Sequence, residues 1–95
     1  MELDQRPAVW VASNIRHIER DHPERGIARD EVDEALDDPR RLEYVSDRTG
    51  VEYHTVIGIT RAGRVLAVVW VDHPDGRFPV HVRRAGRKAA REYYR

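Results

Sequence analysis

The chain has 95 residues and no cysteine, which allows one modest core and excludes disulfides, thiolate nucleophiles and sulfur-ligated metals. Its 17 basic and 17 acidic residues cancel, yet residues 1–52 carry 14 acids against 8 bases while residues 53–95 carry 3 against 9. No apolar run reaches the roughly 18–20 residues of a membrane span, and Met1-Glu2-Leu3-Asp4 lacks a signal-peptide pattern, so cytoplasmic residence without membrane contact is expected.

In chain order, Val11, Ile15 and Ile18 fall on one helical stripe between about Ala8 and Asp21, and His22-Pro23 ends it. A second helix is predicted over Arg29–Asp37, with Val32, Ala35 and Leu36 as its buried face. Asp30, Asp33, Glu34 and Asp37 line its opposite, solvated face, and Asp38-Pro39 closes it.

The period then changes to two. Leu42–Ser46 reads as a strand and Asp47-Arg48-Thr49-Gly50 as a turn. In the next strand, Val51–Thr60, Val51, Tyr53, Thr55, Ile57 and Ile59 share one face. After a turn at 61–64, Val65–Val71 is a nearly continuous apolar run, as in a central strand covered on both faces. Arg77–Arg83 forms the last strand, predicted with Phe78, Val80 and Val82 inward and Arg77, Pro79, His81 and Arg83 outward. Pro79 lacks an N–H for a ladder, so this strand must be bulged or at an edge. Ala85–Tyr94 closes the chain as a helix with Arg84, Arg87, Lys88, Arg91 and Arg95 on one stripe. The predicted architecture is therefore one α+β domain over residues 1–95: two N-terminal helices, a four-stranded antiparallel meander and a basic C-terminal helix.

Sixteen of the 17 cations are arginine, whose planar fork matches phosphate. The C-terminal stripe, together with Arg83, Arg77 and His81, reads as a phosphate-tracking surface for RNA, against the plainer reading of a solvated helix face. The histidines include no i, i+4 pair of the kind that binds zinc, so neither a metal nor a cofactor is expected. His54 and His81 are predicted on outward strand positions about 10 Å apart, with one strand between them. Such a gap suits metal-free RNA cleavage: one group takes the 2′-hydroxyl proton, Arg83 or Arg77 steadies the charged phosphorus, and another group protonates the leaving oxygen.

The segment Arg83-Arg84-Ala85-Gly86-Arg87-Lys88-Ala89-Ala90-Arg91-Glu92-Tyr93, with Asn14, Gly26-Ile27, Glu31 and Asp38-Pro39 upstream, resembles the BrnT-like toxins of bacterial type II toxin–antitoxin pairs, which have a RelE-like fold. His17, Arg20, Arg25-Gly26-Ile27 and Glu31-Val32 are at least as similar to related uncharacterised toxin-like domains. The resemblance departs at Gly86 and Ala89, where that family commonly has Thr and Glu. It implies an endoribonuclease that blocks translation and is silenced by a cognate antitoxin. Arg83, His81 and His54 would act at the reacting phosphate, with Arg84, Arg87, Lys88, Arg91 and Arg77 along the RNA. The rival reading is a non-catalytic nucleic-acid- or protein-binding module using the same basic surface. A monomer is expected when the chain is alone.

Overall fold

A computed structural model describes residues 4–95. The first helix is split: α1 (Ala12–Ile15) runs straight into a π-helical turn at Arg16–Arg20. Val11 stays extended at the start, and its N–H donates to Asn14 Oδ1 at 2.8 Å. A 3₁₀ turn, Pro23–Arg25, leads through Gly26 to α2 (Arg29–Leu36). Glu31 fixes where α2 begins, because its Oε1 accepts the N–H of the still-extended Ala28.

Four strands follow: β1 (Leu42–Arg48), β2 (Val51–Ile59), β3 (Val65–His73) and β4 (Gly76–Arg84), with α3 (Arg87–Tyr93) last. They pair in sequence order, all antiparallel, as the alternating pattern and short turns predict. Thr49 and Gly50 take positive φ (51° and 82°), the left-handed pair that a two-residue hairpin requires.

The helical layer covers one sheet face. Val32, Ala35 and Leu36 of α2, all fully buried, meet Val56, Leu66, Val68, Trp70 and Val82. Each buried Leu or Val stabilises by about 1.5–3 kcal/mol. Gly58 lets α2 sit close on β2, since a Cβ there would overlap the Ala35 carbonyl oxygen. On the other face α3 is tied down at two points: the Tyr93 hydroxyl donates to Asp38 Oδ2, and the Tyr44 hydroxyl donates to Glu92 at 2.9 Å.

Two expectations about strand faces need correction. The most buried face of β2 holds His54, Val56 and Gly58 rather than the Tyr53–Thr55–Ile57 row. In β4 the buried residues are Gly76, Arg77, Pro79 and Val82, so Arg77 and Pro79 face inward. The reason is a bulge: Val69 pairs with His81 but Trp70 pairs with Pro79, so Val80 is the extra residue and the alternation reverses across it. Pro79 does mark this bulge in an edge strand, as its missing N–H requires.

Candidate functional site

The N-terminal acids and C-terminal bases meet one another over much of the molecule. Arg77 pairs with Asp37 at 2.8 Å, Arg64 with Glu31 at 3.2 Å and Arg61 with Glu34 at 3.9 Å. The α2 acids expected on a solvated face are thus largely engaged. Asp33 is engaged too: it accepts the Trp10 indole N–H, and burial raises its carboxyl pKa despite that bond. Arg83, Arg84, Arg87, Lys88, Arg91 and Arg95 are all exposed and have no carboxylate partner among the described residues. The unneutralised charge of the C-terminal half is therefore concentrated at the end of β4 and along α3.

A hollow of about 600 Å³ is lined by Asp30, Asp33, Glu34, Asp37 and Asp38, with Arg61 beside them, and its net negative charge would repel phosphate. A cleft of about 380 Å³ on the sheet face opposite α2 has the reverse character. Its floor is Thr55, Ala67, Val69 and Val80, and Ser46, Arg48, Tyr53, His81 and Arg83 surround it. The bulge shapes this site, because it brings Val80 and His81 to the same side of the sheet. His81 and Arg83 are two residues apart on one strand, so both reach the same face. Arg83 also borders a groove with Tyr44, Arg87, Lys88 and Glu92, which makes the cleft continuous with α3.

His81 is partly buried. Burial lowers its pKa below the usual 6.5, and the nearby charges of Arg25, His17, Arg83 and His22 push it further down. His17 stands close, with ring centroids 6.4 Å apart, and His22 meets His17 edge-on at 5.6 Å. At neutral pH His81 is therefore an uncharged imidazole with an available lone pair.

Arg83 and His81 stand together in the cleft, and Arg84, Arg87, Lys88 and Arg91 lie exposed beyond it. Two predicted site residues are elsewhere. His54 lies on the α2 side of the sheet, stacked on Trp70 at 3.9 Å and with its Nε2 2.9 Å from Glu52 Oε1, so the sheet itself separates it from His81. Arg77 is 1 % exposed, and its guanidinium donates to the carbonyls of Arg6 and Leu36 and to Asp37, leaving no surface for RNA. The bulge turns Arg77 inward, whereas His54 lies on the α2 side because the helical layer covers the even-numbered face of β2, whose register with β1 and β3 is unbroken.

Arg48, Tyr53 and Ser46 went unpredicted as site residues. The pairs Ser46–Tyr53 and Thr55–Val69–His81 put them on the His81 face, and register is the signal that finds them. The Arg48 guanidinium lies 5.9 Å from the Tyr53 ring, a cation–aromatic contact that leaves its fork available. No group of three or more His, Asp or Glu among the described residues is placed to hold a metal ion. No described helix is long and apolar enough to cross a membrane. No protein-family model matches this chain, and no curated protein matches it in sequence.

Proposed function

We propose that this chain binds single-stranded RNA across the open sheet face and cuts it without a metal, acting in the cytoplasm as the toxin of a toxin–antitoxin pair. The observation that carries the reading is the juxtaposition of a neutral imidazole, His81, with the unpaired Arg83 in a cleft that runs into the cations of α3. His81 takes the proton of a ribose 2′-hydroxyl, and that oxygen attacks the adjacent phosphorus. Arg83 and Arg48 stabilise the extra negative charge that develops there. The bond to the 5′-oxygen breaks, a 2′,3′-cyclic phosphate remains, and water in the open cleft protonates the leaving oxygen. Tyr53 offers a ring for a neighbouring base to stack on. Arg84, Arg87, Lys88 and Arg91 track the flanking phosphates, and an acidic antitoxin would compete for them.

A single observation favours the alternative of a non-catalytic RNA- or protein-binding module. Among the described residues lining the cleft, His81 is the only imidazole, so the lining offers no second one to act as the acid.

Binding is tested by salt titration of a fluorescent oligoribonucleotide. Replacing Arg87, Lys88 and Arg91 with Ala should reduce the slope of log affinity against log salt by about 2, at about 0.7 per lost phosphate contact. An unchanged slope would remove α3 from the interface.

A further inference from the structure

The two edges of the sheet differ. The β4 edge is capped: Val9 N–H donates to the Arg77 carbonyl at 2.7 Å and Arg77 N–H donates to Pro7 at 2.9 Å. Asn14 Nδ2 donates to the Pro79 carbonyl at 3.1 Å, and Arg25 donates to the Val82 carbonyl at 3.0 Å. A short segment, a buried amide and a guanidinium thus occupy the carbonyls of Arg77, Pro79 and Val82. The β1 edge has no such cover. In the hairpin closed by Arg48 and Val51, the paired residues Arg48, Ser46, Tyr44 and Leu42 bond inward to β2. The Thr60 N–H to Arg64 carbonyl bond gives the same phase, because it assigns the even residues of β2 to β3 and the odd ones to β1. The backbone groups of Glu43, Val45 and Asp47 consequently point away from the sheet. No described segment bonds to them. Val45 is 60 % exposed and Tyr44 47 %, so the edge is apolar as well as unpaired.

We propose that β1 is a docking edge for an extended segment of a different protein, which adds to the sheet as a fifth strand. The side chains fix its chemistry. Glu43, Val45 and Asp47 share one face, and Glu52 lies opposite Asp47 on β2, giving an acidic border around one apolar residue. Arg41 compensates Glu43 in part, at 3.8 Å, so most of the uncompensated charge lies at the Asp47 end. A second copy of this chain fits poorly. Two β1 strands paired antiparallel about Val45 would put Glu43 opposite the partner copy's Asp47, twice, and like charges in direct opposition are destabilising. The segment that fits carries Lys or Arg at positions i and i+4 and a β-branched residue at i+2. This is the same physics that makes unprotected edges prone to pairing, here restricted by charge.

The test uses the intact chain and two synthetic peptides with the cores Lys-Thr-Val-Thr-Lys and Glu-Thr-Val-Thr-Glu, monitored by NMR. The basic peptide should bind, slowing amide exchange at Glu43, Val45 and Asp47, and the acidic peptide should bind at least about tenfold more weakly. Val45→Pro removes an outward N–H and should abolish binding. Val45→Lys, which keeps the strand intact and adds a repelling charge, should weaken the basic peptide if the proline variant does not fold. Absence of binding at millimolar basic peptide would overturn the proposal. So would shifts confined to α3 or the cleft, equal binding of both peptides, or β1 amides protected by self-association without peptide.

Discussion

Replacing Arg77 with Met should unfold this protein far more readily while leaving the proposed RNA-binding surface of the surviving native state intact. Arg77 is an internal strut joining three segments distant in sequence. Its Nη1 donates to the Leu36 carbonyl at 3.0 Å, its Nη2 to Asp37 at 2.8 Å, and its Nε to the Arg6 carbonyl. Hydrogen bonds from a charged donor contribute about 1.5–3 kcal/mol each, and a buried acceptor left without a partner costs about 1–3 kcal/mol. Met fills similar space but donates nothing, so the Leu36 carbonyl at the end of α2 loses its guanidinium partner. Asp37 is 67 % exposed and can be rehydrated, so its share is small. The net loss should be about 3 kcal/mol. At about 4–8 °C per kcal/mol for a chain of this size, the melting temperature should fall by roughly 12–24 °C. Calorimetry with the wild type alongside measures it, and Arg77→Lys, which keeps the charge and fewer donors, should fall between the two. A loss below about 1 kcal/mol for Arg77→Met, or weaker RNA binding by the fully folded variant, would refute the structural role.

Tyr93→Phe should cost about 1 kcal/mol at neutral pH, because Asp38 loses a donor. Burial raises the Asp38 carboxyl pKa, but the Tyr93 hydroxyl and the N–H groups of Arg40 and Ile59 outweigh it, leaving the pKa below 3.8. Asp38 therefore stabilises the fold above that value and less as the pH falls through its folded pKa, so the variant should begin acid unfolding at higher pH, followed by circular dichroism. His81 has the opposite sign of charge. Its folded pKa lies below 6.5, the unfolded chain takes up that proton first, and stability should decline as the pH drops from 6.5 through the folded value. His81→Gln should flatten this decline in urea titrations. Gly58→Ala should cost about 3 kcal/mol, since the new methyl group meets the α2 backbone rather than a movable side chain, and denaturant midpoints would show it.

Periodicity made the architecture legible. Val32, Ala35 and Leu36 mark the buried stripe of α2, and the apolar run of β3 marks a strand covered on both faces, with helices on one side and α3 partly covering the other. Pro79 announced the bulge, yet its consequence escaped the linear pattern, because one extra residue reverses every side chain beyond it. That reversal separates Arg77 from Arg83 and puts one inside and the other on the surface. His54 and His81 have the same sequence appearance, polar residues between apolar ones, but only register and the position of the helical layer tell their faces apart. Trp10, Asn14 and Arg25 are bound up in contacts 23 to 65 residues away, which no local pattern encodes. The cations of α3 were readable directly as a stripe without acids, but Glu92, at helical spacing from Lys88 and Arg95, is left unpaired with them because it accepts the distant Tyr44 hydroxyl.

The most direct test of the central claim is cleavage of an end-labelled oligoribonucleotide in excess EDTA, with the new ends identified by mass spectrometry. The expected products are fragments ending in 2′,3′-cyclic phosphate, formed at least about a hundredfold more slowly by His81→Gln and by Arg83→Ala and at the wild-type rate by His54→Gln. Intact RNA, cleavage abolished by the chelator, or equal rates for wild type and the His81 and Arg83 variants would contradict it.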